Sequence, residues 1–271
     1  MDNFKSDFKR PKIGLALGGG GARGLAHIGV IKILEKNKIP IDLIAGSSIG
    51  AIIGGFYASG LNIKEIEKIA LDIDYHKIFS VLFEPRLKQG LIGGEKIKIF
   101  IENYIGKKNF KDCRIPFSAV ATNLKTGETI SLNKGEIAQA IQASISIPLI
   151  FKPVKINNQT LIDGELSAPV PVEVVRNMGA DIIIAVNLDK YHHTNKKDLN
   201  WYDIANNSLS ILRYHLAQQN IKNADIVIKV DLKSYWYQFV NGQGKKILAG
   251  EKAAKKVIPK LQKIISKNSE A

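Results

Sequence analysis

Short apolar runs alternate along most of the chain with longer segments whose apolar residues recur at helical spacing. The runs at 13–17, 41–45 and 181–187 are rich in aliphatic residues, which is typical of strands buried in a parallel sheet. Because parallel strands need crossover connections that cover the sheet, this alternation predicts an α/β fold. We expect a three-layer sandwich with a mostly parallel central sheet.

Glycine, proline and asparagine act as breakers and set the bounds of the other predicted elements. Further strands are expected at 115–122, 128–132, 152–157, 159–162 and 226–230. Helices are expected at 22–37, 48–58, 63–71, 93–104, 136–144, 171–178, 201–222 and 250–267, the last of them containing Pro259.

Two segments have no clear period. Residues 73–92 are irregular and carry Phe79, Leu82 and Phe83, which indicates a lid or a rim. Residues 189–200 are polar and predict a surface loop.

No internal repeat or linker divides the chain. We therefore expect an N-terminal tail over residues 1–11 and a single domain over 12–271. Residues 190–271 would form the C-terminal helical extension of that domain.

Basic residues outnumber acidic ones, 39 to 25, and the net charge of +14 favours an anionic partner such as nucleic acid or anionic lipid. Aromatic residues make up only 7% and do not alternate with basic clusters as a single-strand binding groove requires, so no nucleic acid is expected. A solvated lysine-rich surface explains the charge equally well.

Cys113 is the only cysteine, so the chain has neither an intrachain disulfide nor a multi-thiolate metal site, and we expect no metal and no cofactor. No signal peptide and no spanning segment is evident, which favours a cytoplasmic protein, peripheral to a membrane at most. Apolar residues of the last helix could lie on a membrane surface or pack on the domain: Ala253, Val257, Leu261, Ile264 and Ile265.

The sequence GSSIG at 46–50 is the sharper of two glycine-rich motifs. Gly46 and Gly50 flank Ser48 at a spacing of two, between a predicted strand and a predicted helix. A G-x-S-x-G turn in that context exposes the serine hydroxyl at a sharp bend, and the N-terminus of the helix favours developing negative charge. We therefore expect Ser48 to be a nucleophile.

The sequence GGGGARG at 18–24 admits three interpretations. A P-loop needs Lys and Ser or Thr after the last glycine, where Leu25 and Ala26 stand instead, so that interpretation fails. A dinucleotide site wants an acidic residue at the end of the second strand, but Asp42 lies at its start. An oxyanion hole, in which glycines direct backbone N–H groups outward, is the third interpretation and the one we favour.

The residues leave several candidates for the base that would activate Ser48. His27 falls on an apolar helix face and is expected to be a packed histidine. His192 and His193 follow the serine as a hydrolase triad requires, and Asp163 ends a hairpin strand just before Gly164. The remaining histidines are His76 and His215.

Three motifs in this order, 18–24, 46–50 and Asp163-Gly164, resemble those of the patatin-like phospholipases. The run 161–187 is similar to bacterial members of that family and to its neuropathy-target-esterase-like branch. The resemblance extends in detail over about residues 12–188.

The resemblance implies a lipid acyl hydrolase of the phospholipase A or lysophospholipase type, with phospholipid or another acyl ester as substrate. Ser48 would attack the ester and Asp163 would act as general base, without a histidine. The N–H groups of Gly19, Gly20 and Gly21 would form the oxyanion hole. Other motif residues, expected to support these turns, are Arg23, Gly24, Gly46, Gly50 and Gly164.

One residue departs from the family pattern, which has a small residue after Asp-Gly where this chain has Glu165. A second carboxylate would raise the pKa of Asp163 if it faced the site and would have no effect if it pointed to solvent. Two alternative functions stay open: a histidine-dependent esterase of the α/β-hydrolase kind, and a non-catalytic regulator that binds an anionic partner.

Overall fold

The computed structural model describes residues 10–72, 94–148, 150–188, 198–232 and 242–269. The expected lid or rim with Phe79, Leu82 and Phe83, and the polar loop up to residue 197, lie outside the described residues. His76, His192 and His193 lie outside them as well.

Eight strands form one mixed sheet, linked through the successive pairs β5–β6, β6–β3, β3–β2, β2–β1, β1–β7 and β7–β8, with β4 also paired to β3. The pairs β1–β2, β2–β3, β1–β7 and β7–β8 are parallel, whereas β4, β5 and β6 pair antiparallel. The predicted mostly parallel sheet is therefore confirmed. The strands are β1 Ile13–Leu17, β2 Leu43–Ser47, β3 Phe117–Asn123, β4 Thr129–Leu132, β5 Val154–Ile156, β6 Gln159–Asp163, β7 Ile182–Asn187 and β8 Ile226–Lys229.

Helices cover both faces of the sheet and produce the expected three layers. Ile13, Leu15 and Leu17 of β1 belong to the larger apolar core, while Ala16 between them belongs to the smaller core on the opposite face. This division follows from the alternation of side chains along a strand. The described helices are α1 Ala26–Lys36, α2 Ile49–Ala58, α3 Ile63–Asp72, α4 Glu95–Ile105, α5 Ile137–Ser144, α6 Val172–Asn177, α7 Trp201–Asn220 and α8 Gln243–Ser269.

Helix α8 begins earlier than predicted and continues through Pro259. Its apolar side, with Ala254, Ile258 and Leu261 buried, packs on the domain. Leu261 belongs to the larger core, and the other apolar residues named for this helix, Ala253, Val257, Ile264 and Ile265, pack partly buried against it, so the alternative of packing on the domain holds. None of the described helices combines the length and the apolar character that crossing a membrane requires.

Helices α1 and α8 approach each other closely because glycines face the partner backbone. A Cβ on Gly29 would lie 2.0 Å from the Ile247 carbonyl oxygen, and a Cβ on Gly250 would lie 1.9 Å from the Ala26 carbonyl oxygen. Since neither oxygen belongs to a movable side chain, an added methyl group would have to push the helices apart.

Gly250→Ala should therefore destabilise the protein by about 1–3 kcal/mol through overpacking. Gly244 is a matched control in the same helix, because a Cβ there meets nothing within 4 Å. Gly244→Ala should leave stability unchanged or raise it by up to about 1 kcal/mol. Urea unfolding of both variants measures the difference, and equal free energies of unfolding would contradict this account of the α1–α8 contact.

Candidate active site

The two strand ends that carry the site meet on one edge of β3. Ser47, the last residue of β2, pairs with Val120, and Asp163, the last residue of β6, pairs with Ala121. Because β4 occupies the other edge of β3 at both positions, β2 and β6 must share the first edge. Strand β2, which is parallel to β3, and strand β6, which is antiparallel to it, therefore end next to each other. This places Ser48 beside Asp163.

Ser48 lies at a sharp turn between β2 and α2. Its backbone adopts φ 52° and ψ −122°, a conformation that is strained for a residue with a side chain. A Cβ on Gly46 would lie 2.3 Å from the Gly50 carbonyl oxygen, and one on Gly50 would lie 2.2 Å from the Leu17 carbonyl oxygen. The two flanking glycines are therefore required by close backbone contacts on both sides of the serine.

The Ser48 hydroxyl donates a hydrogen bond to Asp163 Oδ2, with an Oγ–Oδ2 distance of 2.9 Å. Both residues are buried, with exposed fractions of 4% for Ser48 and 3% for Asp163. Asp163 Oδ1 accepts from the Glu165 N–H at 2.8 Å, which fixes the carboxyl orientation. The structure thus brings together the two residues that the sequence named as nucleophile and base.

The pKa of Asp163 is raised to about 8. Burial is the largest cause, because it penalises the charged carboxylate, and the negative charge of Glu165 adds to it. Hydrogen bonds from the Glu165 N–H and from Ser48, and the positive charge of Arg213, act in the opposite direction. A free aspartate is a weak base, and this environment makes Asp163 a stronger one.

Two of the three candidate N–H groups of the glycine loop donate to other residues of the protein. The Gly19 N–H donates to the Pro169 carbonyl oxygen at 2.9 Å, so its expected place in the oxyanion hole does not fit this geometry. The Gly20 N–H donates to Glu165 Oε1 at 2.7 Å. Gly21 begins a 3-10 turn, whose first N–H groups have no acceptor within the turn.

The side chains of Arg23 and His27 hold the glycine loop in place through hydrogen bonds to its carbonyl oxygens. Arg23 Nε donates to the Gly20 carbonyl oxygen at 3.1 Å, which gives this basic residue a structural role. His27 is fully buried, and burial lowers its pKa to about 4, so the ring is neutral and its Nε2–H donates to the Gly18 carbonyl oxygen at 2.7 Å. The apolar helical spacing indicated a packed histidine but did not indicate this contact. His215, the other described histidine, is exposed on α7.

Glu165 faces the site, which answers the question that the sequence left open. Its side chain is buried and its Oε2 lies 3.0 Å from Arg213 Nη1 of α7. Arg213 was not recognised from the sequence, although it is the only lysine or arginine between Trp201 and Asn220. Arg213 lies far from Glu165 in the sequence, and the two side chains meet only because α7 docks on the domain.

A family model described as patatin-like phospholipase matches residues 15–176, more than half of the chain. The chain therefore belongs to the patatin-like phospholipase family, and the resemblance noted in the sequence is confirmed. The expected domain bounds of 12–271 extend beyond that match and stay a prediction.

Curated relatives include proteins of the neuropathy-target-esterase group. An uncharacterized NTE family protein of Mycobacterium bovis is 37% identical over 179 residues, which are 66% of this chain and 49% of that protein. Lysophospholipase nte1 of Emericella nidulans is 30% identical over 206 residues, which span 68% of this chain and 13% of the fungal protein. The chain thus spans about half the length of the bacterial relatives it matches, and a smaller share of the fungal ones.

Solved structures support the same fold. VipD from Legionella pneumophila aligns with a TM-score of 0.62 and 13% identity over 93% of this chain and 67% of that chain. ExoU, in its complex with SpcU from Pseudomonas aeruginosa, aligns with a TM-score of 0.50 and 18% identity over 97% of this chain and 52% of that chain. At these identities the similarity concerns the fold alone.

Asp163→Asn should raise the melting temperature at alkaline pH. The raised pKa means that the folded state resists ionisation, so the contribution of Asp163 to stability falls as pH rises from 3.8 through about 8. The neutral amide escapes this loss, and each kcal/mol recovered is worth about 2–4 °C. Melting curves from pH 4 to 9 should show a gap that widens up to about pH 8 and then stays constant.

The exposed Asp72 provides the control for that measurement. Asp72→Asn should show no gap of this size opening with pH, because the Asp72 side chain is exposed in the folded protein. A variant Asp163→Asn that is less stable than wild type at pH 9 would contradict the burial argument.

Proposed function

We propose that this protein is a serine hydrolase of lipid acyl esters that works through a Ser48–Asp163 dyad. The observation that carries the proposal is the buried 2.9 Å hydrogen bond from Ser48 Oγ to Asp163 Oδ2 at a strained turn. Direct contact between the serine and the carboxylate makes a relaying histidine unnecessary. Family membership supports the same chemistry, and the shared motifs contain both residues.

In this mechanism ionised Asp163 takes the proton of Ser48 while Oγ attacks the ester carbonyl. The resulting oxyanion would be stabilised by the N–H groups of Gly20 and Gly21 and by the N-terminus of α2. Collapse of the tetrahedral intermediate expels the alcohol, which receives the proton from Asp163. A water molecule activated by the same carboxylate then hydrolyses the acyl-enzyme and restores both residues.

Phospholipase A or lysophospholipase activity is the substrate assignment that we favour. The relatives include proteins named lysophospholipase, and the net charge of +14 would attract an anionic lipid surface. Peripheral membrane contact belongs to the same proposal. It is supported by apolar side chains exposed on α7, among them Trp201, which is 75% exposed, together with Ile204 and Leu212.

A fluorophosphonate probe and ester turnover test the dyad. Wild type should form an adduct on Ser48, located by mass spectrometry, and should hydrolyse p-nitrophenyl esters and phospholipid vesicles. Ser48→Ala and Asp163→Asn should each lose about 10³-fold or more in kcat/KM, because either change removes proton transfer from nucleophile to base. Ser266, on the exposed side of α8, is the control position.

Ser266→Ala should retain wild-type labelling and turnover. Full activity of Ser48→Ala would exclude the dyad. A folded wild type with neither labelling nor turnover would favour a non-catalytic protein that binds an anionic partner.

The rate should depend on pH through Asp163. Since only the ionised carboxylate accepts the serine proton, kcat/KM should rise with pH and level off above an apparent pKa near 8. Glu165→Gln removes a negative charge that raises the pKa of Asp163, so the rise of kcat/KM in this variant should occur at lower pH than in wild type. The check is the pH profile of kcat/KM for wild type and for Glu165→Gln on the same neutral ester. Profiles that rise at the same pH would contradict the role of the Glu165 charge in raising the pKa of Asp163.

A further inference from the structure

A carboxylate occupies the place where the proposed mechanism needs a developing oxyanion. Glu165 Oε1 lies 2.7 Å from the Gly20 nitrogen and accepts its N–H. The side chain lies flat against the loop, since a Cβ on Gly19 would come within 2.1 Å of Oε1. An N–H group that binds a carboxylate oxygen at this distance is suited to bind another anionic oxygen.

The same carboxylate is held from its other side by Arg213. Glu165 Oε2 and Arg213 Nη1 are 3.0 Å apart, and the glutamate side chain is 8% exposed against 31% for the arginine. The pair is therefore open to solvent on the arginine side.

Two further titratable groups lie near this pair. Asp163, two residues before Glu165, is buried beside it, and burial together with the charge of Glu165 favours the protonated form of the Asp163 carboxyl. Arg23 is bound to the Gly20 carbonyl oxygen on the far side of the loop. Glu165 thus lies between the buried Asp163 carboxyl group and the Arg213 guanidinium, which is its oppositely charged partner.

We propose that Arg213 and the Gly20 N–H form an anion-binding site beside Ser48, that Glu165 fills it as an internal ligand at rest, and that a phosphate group of the substrate takes Arg213 in exchange. This inference rests on the proposed hydrolase function. It makes Arg213 a substrate-binding residue and Glu165 a specificity-determining residue. The preferred substrate is an acyl ester that carries an anionic phosphate close to the ester.

The physical basis is competition for one guanidinium. A neutral ester has no anionic group that could bind Arg213. Glu165 therefore stays hydrogen-bonded to the Gly20 N–H, and this oxyanion donor remains occupied. A phosphate-bearing ester offers Arg213 a bidentate partner, which releases Glu165 and frees the donor for the reaction. Binding energy from a remote part of the substrate is thereby used at the reacting centre.

Two lipids that differ only by the phosphate test this exchange: 1-oleoyl-glycerol 3-phosphate and 1-oleoylglycerol. Wild type should favour the phosphate ester in kcat/KM. Arg213→Gln should lower the ratio of the two kcat/KM values by at least about tenfold, the effect of losing a charge-assisted hydrogen bond. Arg176→Gln makes the same chemical change at an exposed position whose guanidinium donates to the Asn223 carbonyl oxygen, and it should keep the wild-type ratio.

Glu165→Ala is the complementary variant, because it removes the internal ligand and restores the small residue that the family pattern has. Its turnover of 1-oleoylglycerol should rise by about tenfold or more, since a free oxyanion donor is worth about 10²–10³ in rate. Fluorophosphonate labelling of Ser48 should accelerate in parallel. Turnover of diacyl phosphatidic acid vesicles, compared with turnover of dispersed 1-oleoyl-glycerol 3-phosphate, then shows whether the phosphate is recognised in a membrane or in a dispersed single-chain lipid.

The outcomes separate this inference from the function it rests on. If Arg213→Gln reduces both lipids equally, or if a folded Glu165→Ala labels more slowly than wild type, the pair only supports the loop and the inference fails. Ser48-dependent turnover in wild type would in that case leave the hydrolase proposal standing. If neither wild type nor Glu165→Ala shows Ser48-dependent turnover, both proposals fail together. Melting temperatures of all variants identify any that do not fold.

Discussion

The candidate active site depends on one constraint: strands β2 and β6 end next to each other on the same edge of β3. One strand arrives parallel and the other antiparallel, and both stop at consecutive residues of β3, Val120 and Ala121. Neither Ser48 nor Asp163 could reach the other from within its own element. Backbone pairing, which is strong and specific in register, therefore sets the serine–carboxylate distance before any side chain is considered.

Several contacts hold those strand ends in place. The Asp163 N–H donates to the Ser146 carbonyl oxygen, and Thr122 Oγ1 donates to the Asp163 carbonyl oxygen. The Ser48 N–H donates to Ser144 Oγ, which ties the turn to α5. With its backbone fixed on several sides, the turn can maintain a positive φ at a residue with a side chain, an arrangement that costs on the order of 1–3 kcal/mol.

Burial has opposite consequences for the stability and the chemistry of this site. Enclosing Asp163 beside Glu165 makes ionisation unfavourable in the folded state, but the same environment raises the basicity that proton abstraction needs. Arg213 offsets part of the accumulated negative charge. Removing a single member of such a buried group leaves its neighbours without their partner, so the three residues have to be understood as one electrostatic unit.

The pattern of the chain was sufficient for the layers of the fold and for the candidate nucleophile Ser48. Strand β1 occupies the predicted residues 13–17, and glycines at 46 and 50 with aliphatic residues before and after them indicated the turn at Ser48. Such features are local: side-chain periodicity and the steric freedom of glycine act over a few residues. The residues alone left the base open between Asp163 and the histidines, because a lone Asp-Gly is ordinarily only a turn, and it was the family resemblance that favoured Asp163.

Sequence by itself determined the fold class, the strained serine turn and the family, since each is written in short-range patterns and in the order of motifs. Only the tertiary structure decided that the Gly19 N–H is engaged by Pro169, that His27 anchors the glycine loop, and that Glu165 faces Arg213. These contacts join residues that are far apart in the chain, with the exception of the link between His27 and Gly18. Their geometry depends on how α7 and the loops dock on the sheet, and no local pattern encodes that docking.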